Sequence, residues 1–548
     1  MKHRRAITTG WIFVVTCAVA LGSSSAGAVI DAKDAAGPKT LNVRLPFDYP
    51  SLDPMVDAVN SSAWAASKPG YDFLLAVKSN GKSFGPYLAT SWKQTPKSIT
   101  FKVRKDARCS DGSLLTPVDM LNSIKRFIFV PKRGGSASNT SAGGLGPGPY
   151  HLRASNKLGT LTVVLEKPWR NLMGIFSAIP MICSEGLRAL ESDPRALENR
   201  VYGSGPYTLI SAQHNDQISY RLRPGWKWGP PGTSTKGMAD RLNYKIVVDP
   251  TTVANLLVTG GLDIGTVSGP DVQRLMANNA MGHAKAINWT VSGVMFNMRP
   301  GRMFENGEGD VLRAAIFSAV DPKAFNTAVF GGQGHISPSI FRKDMECYDK
   351  DIAKLRAAPS LTRAKQILQR GGYTVVNGRL SKDGRAVPRV NLLSSVQLVP
   401  NGGPYILSVL KELGFDVQLN ELGANIAPVV IAGNFDIYVL YALRPSPEPG
   451  SQMNSVQGTP SPAGSNVSGT GMGDPLWTRY YNAALQNVGA GSCRYFALIQ
   501  KMVIQKHYYV PLASPYFDVF YRKSKIQGSL PTWPTDTFGF PWFDVKMK

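Results

Sequence analysis

The chain has 548 residues, 43% hydrophobic and 18% charged, with 61 basic against 37 acidic side chains and a formal net charge of +24. That composition excludes a disordered or collagen-like chain, and the length is enough for a sizeable core split over more than one lobe. A basic balance suits nucleic acid, anionic polymers or an acidic ligand. Lys and Arg are nevertheless spread without long blocks, which favours a solvated basic surface and no nucleic-acid partner.

In chain order the first feature is a targeting segment. Lys2, His3, Arg4 and Arg5 form a basic start, and "WIFVVTCAVAL" (11–21) is apolar but too short to span a bilayer comfortably. "AGA" (26–28) supplies a small-x-small cleavage pattern. A signal peptide over 1–28 is therefore expected, leaving a mature chain of charge near +21 that is exported to the periplasm or the outer face of the cell membrane. Cys17 lies inside the apolar run behind Thr16, a poor lipidation site. Arg4-Arg5 lacks the flanking residues of twin-arginine export.

"TLNVRLPF" (40–47), "SITFKVRKDARC" (98–109) and "TLTVVLEKP" (160–168) alternate like strands. Between the last two, Asp111-Gly112 reads as a tight turn. Thr116-Pro117 reads as a helix start, with Leu121, Ile124 and Phe127 following at helical spacing. "LNYKIVVDP" (242–250), "TTVANLLVTGG" and "LDIGTV" form a strand–helix–strand unit with Gly260-Gly261 ending the helix. "DVLRAAIFSAVD" (310–321) and "TRAKQILQRGGY" (362–373) are amphipathic helices. "RVNLLSS", "ILSVLKELGFDVQLNEL" and "FDIYVLY" continue the alternation. "RGGSASNTSAGGLGPGPY" (133–150) lacks the Gly-Lys-Ser/Thr ending of a phosphate loop, and 445–475 is a second long loop on composition. The fold class is mixed α/β.

Beyond residue 28 the chain holds four cysteines, Cys109, Cys183, Cys347 and Cys493. In an oxidising compartment an even number points to disulfides, with three possible connectivities. There is no Cys-x-x-Cys. The six histidines, His3, His151, His214, His283, His335 and His507, show no metal-ligand spacing. No Gly-x-Ser-x-Gly elbow or dinucleotide fingerprint occurs. No catalytic residue, metal or cofactor is assigned.

Several stretches together resemble the extracellular solute-binding proteins of peptide-type ABC importers, the oligopeptide- and dipeptide-binding family (solute-binding family 5). "SLDP" (51–54) resembles the family's "tLDP", and "GPYLATSW" (85–92) its "P-x-LA-x-SW". "ITFKVRKDARCSDGSLLTPVDMLNSIKRF" resembles its strand, Asp-Gly turn and capped helix, with Cys109 where an aromatic residue is common. "GSGPYTL" (203–209) resembles "GTGPY". "GGLDIG", "VMFNM" (294–298), "VLRAAIFSAVDPKAF" and "AKQILQRGGY" follow in the family's order.

The resemblance implies a two-lobed periplasmic-binding-protein fold of type II, with hinge-linked lobes around a ligand cleft. The expected division is lobe I from 29–65, 196–290 and 508–548, an inserted subdomain at 66–195, and lobe II at 291–507. It implies a non-enzymatic, monomeric protein that captures a small-molecule or peptide ligand and presents it to a membrane permease. It also leads to disulfides within rather than between lobes, Cys109 with Cys183 and Cys347 with Cys493, because a bridge across the hinge would restrain closure. A non-peptide or anionic solute is the first alternative, and a secreted hydrolase on the same scaffold the second.

The sequence departs from the family at one place that matters. Peptide-binding members carry "W-x-A-D-Y-x-x-P", whose Asp pairs with the peptide's α-amino group, since an unpaired buried charge is costly. The corresponding run here is "LYALRPSPEPGSQMN" (440–454). Aligning Glu448-Pro449 on the family's "x-P" puts Pro445 at the Asp, and a one-residue slip puts Arg444 there. Three readings stand: Arg444 meets an anionic or carbonyl group of the ligand, Glu448 or another carboxylate replaces the Asp as amine anchor, or Arg444 points to solvent from a variable loop. Tyr438, Tyr441 and Asn297 are further candidates for the ligand-binding surface, with packing in the core the equal alternative for the two tyrosines.

Overall fold

The structure is a computed structural model that describes residues 37–53, 55, 61–78, 83–129, 145, 148–170, 172–396, 398–423, 426–440, 448–449, 474–530 and 540–548. The expected signal peptide, Tyr441, Arg444 and most of the two long loops lie outside these. Three main sheets carry the unit Lys39–Lys548.

The first sheet has seven strands in the order Met281–Ile287, Tyr516–Arg522, Ile264–Val267, Thr40–Leu45, Arg241–Ile246, Gln217–Leu222 and Tyr207–Ala212. Its centre is parallel: Thr40–Leu45 runs alongside both Arg241–Ile246 and Ile264–Val267. The helix Pro250–Thr259 makes the crossover. Asp249 caps it by accepting from Thr252 N, and Gly260 ends it at φ 91°, where a side chain would be strained.

The second sheet has six strands, ordered His335–Ile336, Tyr509–Ser514, Ser292–Phe296, Ile437–Leu440, Val390–Ser395 and Val417–Leu422. Val390–Ser395 lies parallel to both Val417–Leu422 and Ile437–Leu440. The helix Gly402–Glu412 covers one face, so closely that a Cβ on Gly403 would lie 2.8 Å from Ser394 Cβ.

The chain passes from the first sheet to the second between Ile287 and Ser292, and returns between Ser514 and Tyr516. The expected boundary before residue 508 is therefore moved: Tyr509–Ser514 pairs with Ser292–Phe296 in the second sheet, and the return falls at Pro515. A period-2 pattern in "YVPLASPYFDVFYR" does not reveal that one continuous extended run serves two sheets.

The inserted subdomain is built on a four-stranded antiparallel sheet, ordered Ala89–Thr95, Ser98–Val103, Thr160–Leu165 and Tyr150–Ser155. Its helix Pro117–Phe129 starts as expected. Asp119 N donates to Thr116 Oγ1, and Asp119 Oδ2 accepts from Thr116 N at 2.8 Å. The same helix explains "SLDP": Arg126 grips the buried carboxylate of Asp53 with both terminal nitrogens. "GSGP" is a close backbone approach, since a Cβ on Gly203 would lie 2.0 Å from Gly70 O and one on Gly205 2.5 Å from Gly70 C. One continuous apolar cluster runs from the inserted sheet into the second lobe, while the first sheet keeps a separate core.

Two disulfides form, Cys109–Cys183 in the inserted subdomain and Cys347–Cys493 in the second lobe, with Cα separations of 6.0 and 4.7 Å. Among the described residues no helix is long and apolar enough to cross a membrane.

Candidate functional site

The two crossovers lie side by side and are tied together. Ser514 Oγ donates to Thr290 O at 2.6 Å, and Tyr509 Oη donates to Val291 O at 2.8 Å. The Arg342 guanidinium stands 5.7 Å from the Trp289 ring and 5.2 Å from the Tyr516 ring, one on each crossover. Asp344 holds it in place through Nε and Nη2. The outgoing crossover of four residues, 288–291, and the single Pro515 of the return are the points outside both sheets where backbone rotation can be absorbed when two lobes open.

The inserted subdomain meets the second lobe at a seam. At the seam lies an open cleft of about 380 Å³ lined by Gln94, Thr95, Pro96, Arg170, Met173, Glu346, Glu448, Pro449, Val488 and Gly489. Its volume falls within the usual range for a small-molecule site. Arg170 pairs with Glu346 across it, and Arg170 N donates to Leu485 O at 2.9 Å. Glu448 Oε1 accepts from Gly174 N at 3.1 Å, on the short helix Leu172–Phe176.

Glu448 thus lies on the cleft, between lobe and subdomain. Tyr438 does not share that lining. It is 4% exposed, in register with Met295 and Leu393, with its ring 5.9 Å from Phe435. Asn297 is 1% exposed. Its Nδ2 donates to Gly433 O and Phe435 O, and its Oδ1 accepts from Arg299 N. The geometry makes it a brace for the turn entering Ile437–Leu440. Tyr441 and Arg444 lie outside the described residues. Sequence reasoning missed Arg170, Glu346 and Met173. Arg170 and Glu346 are 176 residues apart along the chain, and no local pattern marks any of the three.

No histidine lines this cleft. The buried carboxylate with the clearest perturbation is elsewhere: Asp72, at the root of the inserted subdomain, is pushed up to about 6 by burial, against hydrogen bonds from Tyr87, Ser204 and Trp228. His507 is pushed down to about 4 by burial and by Arg313, and packs on Phe317.

Two sheets joined by paired crossovers, with a cleft where an inserted subdomain faces the second lobe, define a hinged binding protein. Residues 83–463 match the profile of "Bacterial extracellular solute-binding proteins, family 5 Middle", and the chain belongs to that family. It is similar to the "Dipeptide-binding protein DppE" of Bacillus subtilis (strain 168), 22% identical over 364 residues, covering 62% of this chain and 63% of the relative's length. Among solved structures, DppA of Helicobacter pylori in complex with the peptide STSA superposes with a TM-score of 0.76 at 18% identity, over 93% of this chain and 98% of that one. A substrate-binding protein of Microbacterium hydrocarbonoxydans complexed with 4-hydroxybenzoate hydrazide superposes at 0.74 and 21%, over 93% and 100%. The fold is the type II two-lobed one, and it carries chemically different ligands.

Proposed function

We propose that this protein is the exported solute-binding component of an ABC importer. It takes up a short peptide by closing the second lobe on the inserted subdomain, delivers it to a membrane permease, and performs no chemistry on it. The observation that carries this reading is the cleft at the hinged seam, with the Glu448 carboxylate on its wall at the position where the family resemblance puts the ligand-anchoring run. A peptide ammonium entering the cleft needs a carboxylate, and Glu448 supplies one on its wall, three or four residues after the Pro445 or Arg444 that the resemblance aligns with the usual Asp. The dipeptide-binding relative supports the peptide class. A single chain is the expected functional unit.

Calorimetry with trialanine and N-acetyl-trialanine tests it. Glu448→Gln should weaken trialanine about tenfold to a hundredfold, the usual worth of a charge-assisted contact, and spare the acetylated form. If Arg444→Ala weakens binding and Glu448→Gln does not, the anchor is Arg444 and the ligand presents an anionic or carbonyl group there.

A further inference from the structure

The inserted subdomain is held to the second lobe by a built seat. Arg170 has a side chain only 8% exposed, although it lies at the edge of the cleft. Its guanidinium pairs with Glu346, donates to Gly489 O at 3.5 Å and stands 6.0 Å from the Phe496 ring. Those partners come from two segments far apart in the chain. Glu346 precedes Cys347, while Gly489 and Phe496 flank Cys493 on the helix Gly489–Gln505. The disulfide Cys347–Cys493 joins these segments at the seat itself. Gln500, 1% exposed, adds a second tie by donating to Cys347 O at 2.8 Å and accepting from Asp349 N.

We propose that Arg170 is a positioning residue for lobe closure, and that Cys347–Cys493 sets the affinity of the binding protein by holding the two halves of the Arg170 seat in register. The proposal rests on the solute-binding reading for its consequence, but the seat itself is tested without a ligand. The argument is one of convergence. A bidentate fork gains most when its acceptors are pre-placed. Here one acceptor, Glu346, is adjacent to Cys347, and the other, Gly489, starts the helix that carries Cys493 one turn later. Without the bridge, the two segments are still tied further along by Gln500, by Lys501 with Asp349 and by the Phe341–Phe496 ring contact, but the 59% exposed Glu346 loses the covalent link beside it that fixes its position. The amide of Arg170 bonded to Leu485 O and the amide of Gly174 bonded to Glu448 then report on whether the seam is shut.

Hydrogen exchange of the segment 169–176 in the mature oxidised protein, without added ligand, tests this. Arg170→Ala should raise its exchange rate at least fivefold, Glu346→Gln should raise it too, and Lys354→Ala, which removes an exposed pair with Asp351, should leave it unchanged. The Cys347→Ser/Cys493→Ser variant should show the same rise, and adding it to Arg170→Ala should give no further increase. Unchanged exchange in both Arg170→Ala and Glu346→Gln, or a cysteine effect that adds in full to that of Arg170→Ala, overturns the proposal. Trialanine titration is run in parallel. Loss of affinity in Arg170→Ala supports the proposal, and equal affinity in wild type and Arg170→Ala overturns it. An absence of any trialanine binding beside the expected exchange pattern counts against the peptide reading and leaves the seat standing.

Discussion

Ser514 donates its hydroxyl to the carbonyl of Thr290 at 2.6 Å, joining the outgoing and returning crossovers at residues that are 0% and 3% exposed. Removing the donor leaves a buried carbonyl unpaired, which costs about 1–3 kcal/mol. Ser514→Ala should therefore lower unfolding stability by that order in urea melts. It should also increase the difference in radius of gyration between the free and ligand-saturated protein, because the outgoing crossover loses its tie to the strand that ends at Ser514. An unchanged urea midpoint contradicts this assignment.

Asp72 gives stability a pH dependence of defined sign. Its folded-state value of about 6 lies above the ordinary carboxylate value of 3.8, so the folded protein holds the proton more tightly than the unfolded chain. The contribution of this group is most favourable below about pH 4 and is lost as pH rises through about 6. At 1.36 kcal/mol per unit the loss is at most ~3 kcal/mol. Asp72→Asn should flatten this part of the stability profile between pH 4 and 7, read by denaturant unfolding at several pH values. A profile with the same slope in the variant contradicts it.

The disulfides close loops of 74 and 146 residues in sequence separation. Removing either bridge by paired Cys→Ser substitution should cost about 2–5 kcal/mol. Mass mapping of a non-reduced digest should return Cys109–Cys183 and Cys347–Cys493. Any peptide joining an early to a late cysteine contradicts the fold described.

Gly293 lies where the second sheet receives the returning strand. A Cβ there would lie 2.0 Å from Val510 O and 2.8 Å from the Tyr509 ring. Gly293→Ala should destabilise the protein by more than ~1–3 kcal/mol, the ordinary cost of overpacking, because a backbone oxygen cannot rotate away. A melting temperature equal to that of the wild type contradicts the pairing of Ser292–Phe296 with Tyr509–Ser514.

Local chemistry made much of the fold readable. The Asp111-Gly112 turn, with Gly112 at φ 88°, and the Thr116 cap appear as the sequence suggests, because each is decided within four residues. The helix Pro250–Thr259 ends at Gly260 for the same reason. The hinge was harder: "SPY" at 514–516 is extended on both sides, and only pairing shows which strand belongs to which sheet. The site was harder still. Glu448 is recognisable through its place after the missing Asp, but its partner Gly174 lies 274 residues away, and Arg170 and Glu346 are 176 apart. Asn297 looks like a ligand donor in "FNM" and instead braces Gly433 and Phe435, since a side-chain amide satisfies buried carbonyls as readily as a ligand.

Native mass spectrometry of the protein purified from its exporting cells tests the central claim most directly. A folded species heavier than the bare chain is expected, whose adduct is released on acid denaturation and fragments as a short peptide with a free amino terminus. A bare mass under gentle conditions, together with no heat on titration with a random tripeptide pool, would contradict it.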